Sequence, residues 1–441
     1  MSPPQSPPGS DRASHVEAWS GAARLSHRAV GVRKAEMQAN MKIALFANTD
    51  WYLYNFRLSL ALRLQALGHE VLLLSPPGPY GDRLRDMGLR WRPVPLRRRG
   101  LNPLSELLFV FRLAALLRQE QPALLHNFTL KCAIYGSFAG RLAGVTRRIN
   151  AVAGLGYVFT SSDRRARLLR PLVRLLIQLA LRGRRSRVIL QNSDDVALFD
   201  RFRLARASDV RLVRGSGVDC SRFTPPVEPA PDGLLRVLLA ARILKDKGVF
   251  EFVEAARLLK AQGRRITFLL AGDPDPGNPA AVSVAAVRGW ADEGLVEWLG
   301  HVDDMPALVR TTDIVVLPSY REGLPKSLIE AAACARALIA TDVPGCREVV
   351  EHGVDGLLVP ARSVEPLAAA IAALDDDPAL RARLGVAARS KALAHFDEAI
   401  VLRRTAAVYQ ELLGPGLESS TRSAASPEGR RTIPAPGFPP E

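Results

Sequence analysis

A chain of 441 residues has room for two or three domains with sizeable cores, which excludes a single small module. With 48% hydrophobic and 24% charged residues, it is neither a largely disordered nor a fibrous sequence. The 60 Lys and Arg against 44 Asp and Glu leave +16, split unevenly: residues 41–215 hold 30 basic and 11 acidic side chains and residues 216–413 hold 22 and 27, so the first half suits an anionic surface, either a membrane face or nucleic acid.

Residues 1–40 are rich in Pro, Ser, Gly and Arg without a continuous apolar run, so they read as a disordered extension rather than a secretory signal, with Met37 and Met41 as candidate starts. The apolar run 41–47, ending in Asn48, Thr49 and Asp50, predicts a buried parallel strand. Phe56, Leu60, Leu64 and Leu67 recur at helical spacing, Gly68 stops that helix, and 70–74 is the next strand of a βαβ unit. Strands near 124–126, 148–152 and 188–191, each a crossover helix apart, extend this to a doubly wound Rossmann-like domain over 41–215. A second series at 235–240, 266–271, 296–299, 314–318, 337–340 and 356–359 alternates with helices such as 250–261 and 328–335, predicting a second α/β domain over 216–397. The amphipathic segment 398–413 is expected to form a last helix packing back toward the first domain, and 414–441 reads as a disordered tail. Two such domains face each other across a cleft, with ligands at the carboxyl ends of the strands.

Cys132, Cys220, Cys334 and Cys346 form no CxxC pair, which points to reduced cytoplasmic thiols rather than a zinc site or a disulfide framework, and no run of 18 apolar residues marks a membrane span. Residues 164–187 hold nine Arg and no acid. Leu168, Leu169, Leu172, Leu175, Leu176 and Leu179 follow one helical stripe and Arg167, Arg170, Arg174 and Arg182 another, so this segment reads as a basic amphipathic helix, bent at Pro171, for an anionic leaflet. The plainer reading is a core-packed helix with a solvated basic face. Nucleic acid is the weaker partner, because no nucleic-acid motif or interleaved aromatic platform accompanies the charge.

Neither GxxxxGK[ST] nor GxGxxG follows a predicted strand, so phosphate must be bound otherwise than in a P-loop enzyme or a dinucleotide-binding dehydrogenase. Arg242, Lys245 and Lys247 sit between a strand end and a helix start, where cations meet an anion at the carboxyl edge of a sheet. Such a loop is also often just solvated. The stretch 318–331 runs from a strand through a Gly/Pro loop into a helix starting near Pro325 or Lys326, whose free N–H groups can take a diphosphate oxygen. Glu322 stays on that loop and Glu330 lies about a turn and a half inside the helix, so the two carboxylates have different jobs or are merely exposed charges.

Four segments in order carry a resemblance: Gly217-Val-Asp219 with Phe223-x-Pro225, Arg242 to Lys247-Gly248, Glu322-x7-Glu330, and the run from Gly345 through Glu348 and Gly356 to Pro360. Together they resemble the family 4 glycosyltransferases of the GT-B fold, over roughly 41–413. The resemblance implies that Arg242 and Lys247 neutralise a nucleotide-sugar diphosphate in place of a metal, that Glu330 holds the donor ribose, that Glu322 is the acid beside the donor sugar, and that Gly323, Leu324, Pro325 and Ser327 contact sugar and phosphate. It likewise implies that His126, at a strand end, sits near the transferred sugar. Where many members carry Gly-Gly after the first strand, this chain has the run Asn48 to Arg57. That run, with Asn55 and Arg57, the segment His126 to Lys131, and the segment 152–157 with Gly154 and Gly156, is similar to the subgroup acting on undecaprenyl-diphosphate sugars, such as the bacillosamine-linked N-acetylgalactosaminyltransferases.

The resemblance thus implies a retaining transferase taking a sugar, an N-acetylhexosamine, from a UDP-sugar to a polyprenyl-diphosphate-linked saccharide in bacterial surface-glycan or glycoprotein-glycan assembly. No metal or other cofactor is expected, and the protein is expected in the cytoplasm, peripheral on the inner leaflet with Arg167, Arg170 and Arg174 at the membrane. The enzyme alternatives are a nucleotide-sugar 2-epimerase on a related scaffold and a metal-dependent transferase using Asp273-Pro-Asp275. The non-enzymatic alternative is a polyanion-binding scaffold.

Overall fold

The computed structural model describes residues 40–96, 102–152, 164–226, 234–275 and 277–414. The expected disordered extensions lie outside these, apart from Asn40 and Gly414. The first half runs β1 (Lys42–Phe46), α1 (Asp50–Ala66), β2 (Glu70–Ser75), α2 (Tyr80–Asp86), β3 (Arg90–Pro93), α3 (Pro103–Glu120), β4 (Leu124–Phe128), α4 (Leu130–Leu142), β5 (Arg148–Val152), α5 (Arg164–Leu181), β6 (Ser186–Leu190), α6 (Ser193–Arg201) and β7 (Val210–Leu212). The second runs β8 (Leu235–Ala240), α7 (Val249–Ala261), β9 (Ile266–Ala271), α8 (Val284–Asp292), β10 (Glu297–Gly300), α9 (Met305–Arg310), β11 (Ile314–Leu317), α10 (Lys326–Ala333), β12 (Ala337–Thr341), α11 (Cys346–Val349), β13 (Leu357–Val359), α12 (Val364–Asp376), α13 (Pro378–Lys391) and α14 (Glu398–Leu413).

Both sheets are parallel, in the orders β3-β2-β1-β4-β5-β6-β7 and β10-β9-β8-β11-β12-β13. The central strands are buried on both faces because helices cover both. The fold is GT-B: two Rossmann-like domains. Edge strands β3 and β7 have no counterpart in the sequence reading. β3 alternates Arg90 and Arg92 with buried Trp91, and β7 is three residues long, so neither offers the apolar run that marks a central strand. Helix α1 begins six residues before its first periodic position, because the Thr49 side chain accepts the Tyr52 N–H.

Helix α14 belongs to the core of the first domain, although it follows the second in the chain. Val401, Val408, Tyr409 and Leu412 are buried with β1, β2 and α1 residues such as Ile43, Val71 and Leu64. Polar ties reinforce this: Glu411 accepts from Arg187 and Arg211, each at 2.7 Å, and the Leu412 carbonyl accepts from Arg147 at 2.9 Å. Outgoing and returning chains meet where Val218 pairs with Asp397, and Glu398 lies so close to Gly217 (φ 76°) that a Cβ there would be 2.6 Å from its Cα. Replacing Tyr409, the largest fully buried side chain, with Ala should cost about 3–5 kcal/mol. A urea midpoint equal to wild type would disprove this placement of α14.

Candidate active site

The cleft is built from loops at the carboxyl ends of both sheets. After β8, Arg242 precedes a 3₁₀ turn at Lys245–Lys247, and Gly248 takes φ 73° to start α7. A Cβ on Gly248 would lie 2.1 Å from the Pro318 carbonyl, so only glycine lets this loop lie against the one leaving β11. The Tyr320 N–H donates to the Asp246 carbonyl at 2.9 Å and joins the same two loops. The contact brings Lys247 Nζ to 2.5 Å from Glu322 Oε1, with both side chains mostly buried. Arg242 reaches the other way, Nη1 donating to Asp275 Oδ2 at 2.9 Å, so one acid of Asp273-Pro-Asp275 is engaged by a guanidinium. Among the described residues no group of three or more His, Cys, Asp or Glu is placed to hold a metal ion.

Helix α10 opens at Lys326 behind Pro325, with no side-chain cap on its first N–H groups. Gly345 (φ 81°) supports the loop before it, since a Cβ there would come within 2.6 Å of the Gly323 carbonyl. Burial raises the Glu330 carboxyl above its ordinary range, and Lys326 Nζ, 3.6 Å away, pulls the other way. Lys326 also donates to the Asn55 carbonyl at 3.3 Å, across to the first domain.

The opposite wall is α1. Trp51, Tyr52, Phe56 and Arg57 face Arg242, Lys247 and the 322–327 loop around a cavity of about 480 Å³, closed by Gln191 and the 215–217 linker. Tyr52 stacks on Phe56 at 5.1 Å. The Arg57 guanidinium lies 4.4 Å from the Phe128 ring centroid and donates to the Tyr52 hydroxyl at 3.0 Å, while its buried Nε has no hydrogen-bond partner. Behind it His126 is 1% exposed, its Nδ1 2.8 Å from the Tyr409 hydroxyl and its Nε2 without a partner. Burial first, and the Arg57 charge second, hold His126 well below the ordinary imidazole range, so it is neutral at pH 7.

The structure therefore gathers Arg242, Lys247, Glu322, Gly323, Leu324, Pro325, Ser327 and Arg57 around one cavity. Glu330 sits one turn down α10, Asn55 enters through its carbonyl, and His126 lies behind the wall rather than on it. Lys131 is on the outer helices, donating to Glu106 at 3.1 Å and lying 5.3 Å from the Tyr135 ring. Gly154 and Gly156 fall outside the described residues. Sequence reasoning gave no site role of their own to Trp51, Tyr52 and Phe56 within the run Asn48 to Arg57, to Gln191 at a strand end, or to Lys326 at a helix start, although Lys326 lies four residues before Glu330 on the same helix.

Helix α5 departs from the core-packed reading of it. Its core side is Ile177, Ala180 and Leu181, whereas Leu168, Leu172, Leu175 and Leu179 are exposed, so the leucine stripe is not the buried face. Arg167 is exposed and Arg170 and Arg174 half-buried, which puts the arginines beside that stripe. Among the described residues no helix is long and apolar enough to cross a membrane.

Side chains of the two domains also meet directly. Glu348 Oε1 accepts from the Ser193 N–H and hydroxyl, both at 2.6 Å at the start of α6, and its Oε2 accepts from Arg214 at 2.9 Å. The Asn192 amide donates to the Gly323 carbonyl at 2.7 Å beside it. These donors outweigh the cost of burial and hold the Glu348 carboxyl below the ordinary range. A depressed carboxyl adds stability that is fully present above the unfolded-state value of about 4.3 and is lost as pH falls through the lower folded value. Glu348→Gln should thus destabilise the chain by a constant amount between pH 6 and 8, with the gap from wild type closing below about pH 4. A gap that persists into acid, read by urea titration at each pH, would remove the charge from this explanation.

Comparison with known proteins agrees with the geometry. Residues 42–193 match the glycosyl transferase 4-like family and residues 235–377 the family of glycosyl transferases group 1. The chain is 29% identical to the N,N'-diacetylbacillosaminyl-diphospho-undecaprenol alpha-1,3-N-acetylgalactosaminyltransferase of Campylobacter jejuni, covering 85% of this chain and 99% of that protein. It is 24% identical to the UDP-Gal:alpha-D-GlcNAc-diphosphoundecaprenol alpha-1,3-galactosyltransferase of Escherichia coli, over 70% of this chain and 80% of that one. Anabaena HepE, solved in complex with UDP, superposes with a TM-score of 0.67 at 19% identity, over 84% of this chain and all of HepE. The 2-epimerase alternative gains no support from these relatives. Each domain of the cleft matches a glycosyltransferase family and the two relatives named above are transferases on lipid-linked sugars, so the chain is a glycosyltransferase of the GT-B fold.

Proposed function

We propose that this glycosyltransferase is a retaining, metal-independent member of family 4 that moves an N-acetylhexosamine from a UDP-sugar to a polyprenyl-diphosphate-linked saccharide, in bacterial surface-glycan or glycoprotein-glycan assembly. The observation that carries the reading is the meeting of Arg242, Lys247 and the uncapped start of α10 around one cavity between the domains. Two cations and a helix N-terminus suit a diphosphate, whose charge grows as the sugar departs. The UDP in HepE and the lipid-linked acceptors in the names of both relatives support the two substrate classes.

In this mechanism the diphosphate lies against Arg242, Lys247 and the 323–327 backbone, and Glu330 holds the ribose hydroxyls. The bond from the anomeric carbon to the β-phosphate oxygen breaks, and Lys247 and Arg242 stabilise the oxygen that takes the electron pair. The acceptor hydroxyl attacks from the same face and its proton passes to that phosphate oxygen, which retains the configuration. Glu322 orients Lys247 and meets the sugar hydroxyls. Neutral His126, with Nδ1 2.8 Å from the Tyr409 hydroxyl, stands behind Arg57 and backs the wall that faces the sugar rather than touching it. Asn55, Arg57 and Lys131 belong to the acceptor side, and Arg167, Arg170 and Arg174 face the anionic inner leaflet, which makes the protein a peripheral cytoplasmic one.

Purified protein is to be incubated with UDP-N-acetylhexosamines and a short-chain polyprenyl-diphosphate sugar, with UDP release and product mass read together. A gain of one sugar on the lipid is expected, with unchanged turnover in EDTA; EDTA-sensitive turnover would discard metal independence. Lys247→Ala should lower kcat/KM by about 10²–10³-fold with an unchanged circular dichroism spectrum. Wild-type turnover in that variant would overturn the site assignment.

A further inference from the structure

Among the described residues, exposed apolar side chains cluster on two helices of the first domain. Leu104 on α3 is 78% exposed, with Leu107, Leu108 and Phe111 between 50% and 54%, at the i, i+3, i+4, i+7 positions of one stripe. On α5, Leu168 is 80% exposed, with Leu172 at 56% and Leu175 at 50%, again one stripe. The opposite sides of both helices are buried, through Phe109, Leu113 and Leu117 on α3 and Ile177 and Leu181 on α5. These stripes are therefore surplus to the core. Exposed apolar groups in such continuous rows mark an interaction surface rather than scattered surface residues.

Topology puts the two rows on one side of the molecule. From β3 the chain crosses to β4 and then steps through β5 to β6 in one direction, so right-handed connections place α3, α4 and α5 on the same face of the sheet. Helix α4 packs against both neighbours and carries half-buried Leu130, Ile134 and Phe138 between the two apolar ridges. All three helices start at the carboxyl edge of a parallel sheet, which is the cleft edge. The exposed residues of α3 fill its first half, and the Lys131–Glu106 ion pair ties the first turns of α3 and α4 together there. The exposed surface of α3 and α5 carries no acid among the described residues; exposed Arg112 and Arg167 lie on these helices, and exposed Arg118, Arg141 and Arg182 lie at the carboxyl ends of α3, α4 and α5.

We propose that α3, α4 and α5 form one bilayer-docking platform, in which the leucine ridges of α3 and α5 enter the acyl boundary of an anionic leaflet and the surrounding arginines meet its headgroups. Basic flanks around a raised apolar surface fit the boundary between lipid phosphates and acyl chains. The placement of the ridges at the cleft edge gives the platform its use: the prenyl chain of the acceptor stays in the leaflet while its diphosphate sugar enters the cavity from the α3 side. This rests on the lipid-linked acceptor proposed above, but the platform is tested without any acceptor.

The full-length protein is to be sedimented with phosphatidylglycerol/phosphatidylcholine vesicles at low and high salt. Leu107→Glu/Phe111→Glu on α3 and Leu172→Glu/Leu175→Glu on α5 are each expected to reduce the bound fraction by about tenfold or more, with an unchanged thermal midpoint. Arg167→Gln/Arg174→Gln is expected to weaken binding only at low salt. Transfer to a short-chain acceptor in solution should stay within about twofold of wild type in the two Leu/Phe double variants, and transfer to a long-chain acceptor in vesicles should fall with binding. Wild-type vesicle binding by the α3 variant would overturn the platform. So would a wild-type dimer that the α3 variant dissociates without losing vesicle binding, since the ridge would then join two copies of the chain. Reduced binding in both variants, with no transfer by wild type to any acceptor, would uphold the platform and remove the transferase reading instead.

Discussion

The structure depends on one constraint: in a parallel sheet every strand delivers its chain to the same edge, and each following helix starts there with unpaired N–H groups. Facing two such edges across a linker concentrates positive partial charge in one gap. The cavity lined by Arg242, Lys247, the 322–327 loop and α1 is that gap. The glycines near it serve the same geometry. Gly248 and Gly345 let the loops of adjacent strands touch through backbone, which holds their side chains at the edge.

Charge within the cleft is balanced in pairs. Lys247 lies against Glu322, Arg242 against Asp275 and Lys326 against Glu330, so three cleft cations each have a carboxylate within reach. For Lys247, the most buried of the three, pairing offsets the cost of burial. In the proposed reaction the diphosphate competes for donors already positioned, and Lys247, with three N–H bonds, meets a phosphate oxygen while still touching Glu322. Arg57 is treated differently, since aromatic faces cover it and its Nε has no partner.

The two domains are not independent in the chain. The first domain's core is completed by α14, which follows the second domain in sequence, and Tyr409 on that helix touches His126 at the end of β4. Such contacts join residues 283 positions apart, so the first domain cannot finish folding until the last helix is made. Glu348 and Asn192 add side-chain bonds across the gap, while the linker meets the returning chain at Val218 and Asp397. With the Lys326 bond to the Asn55 carbonyl, these side-chain ties and the backbone joint hold the cleft at separate points.

The sequence alone determined the class of the fold, because central parallel strands such as β1, β5, β8 and β11 are short apolar runs between helical periods and need no partner to be recognised. It also located Arg242, Lys247, Glu322 and the start of α10, since strand ends, loop glycines and helix starts are local signals. It did not determine β3 or β7, whose pairing at the sheet edge is set by neighbours rather than by their own residues. Nor did it reveal that Trp51, Tyr52 and Phe56 face Lys326, that His126 is shielded behind Arg57, or which side of α5 is buried. A helical stripe of leucines reads the same whether it meets a core or solvent; only the packing of α4 and β6 against the other side of α5 decided that these leucines stay exposed.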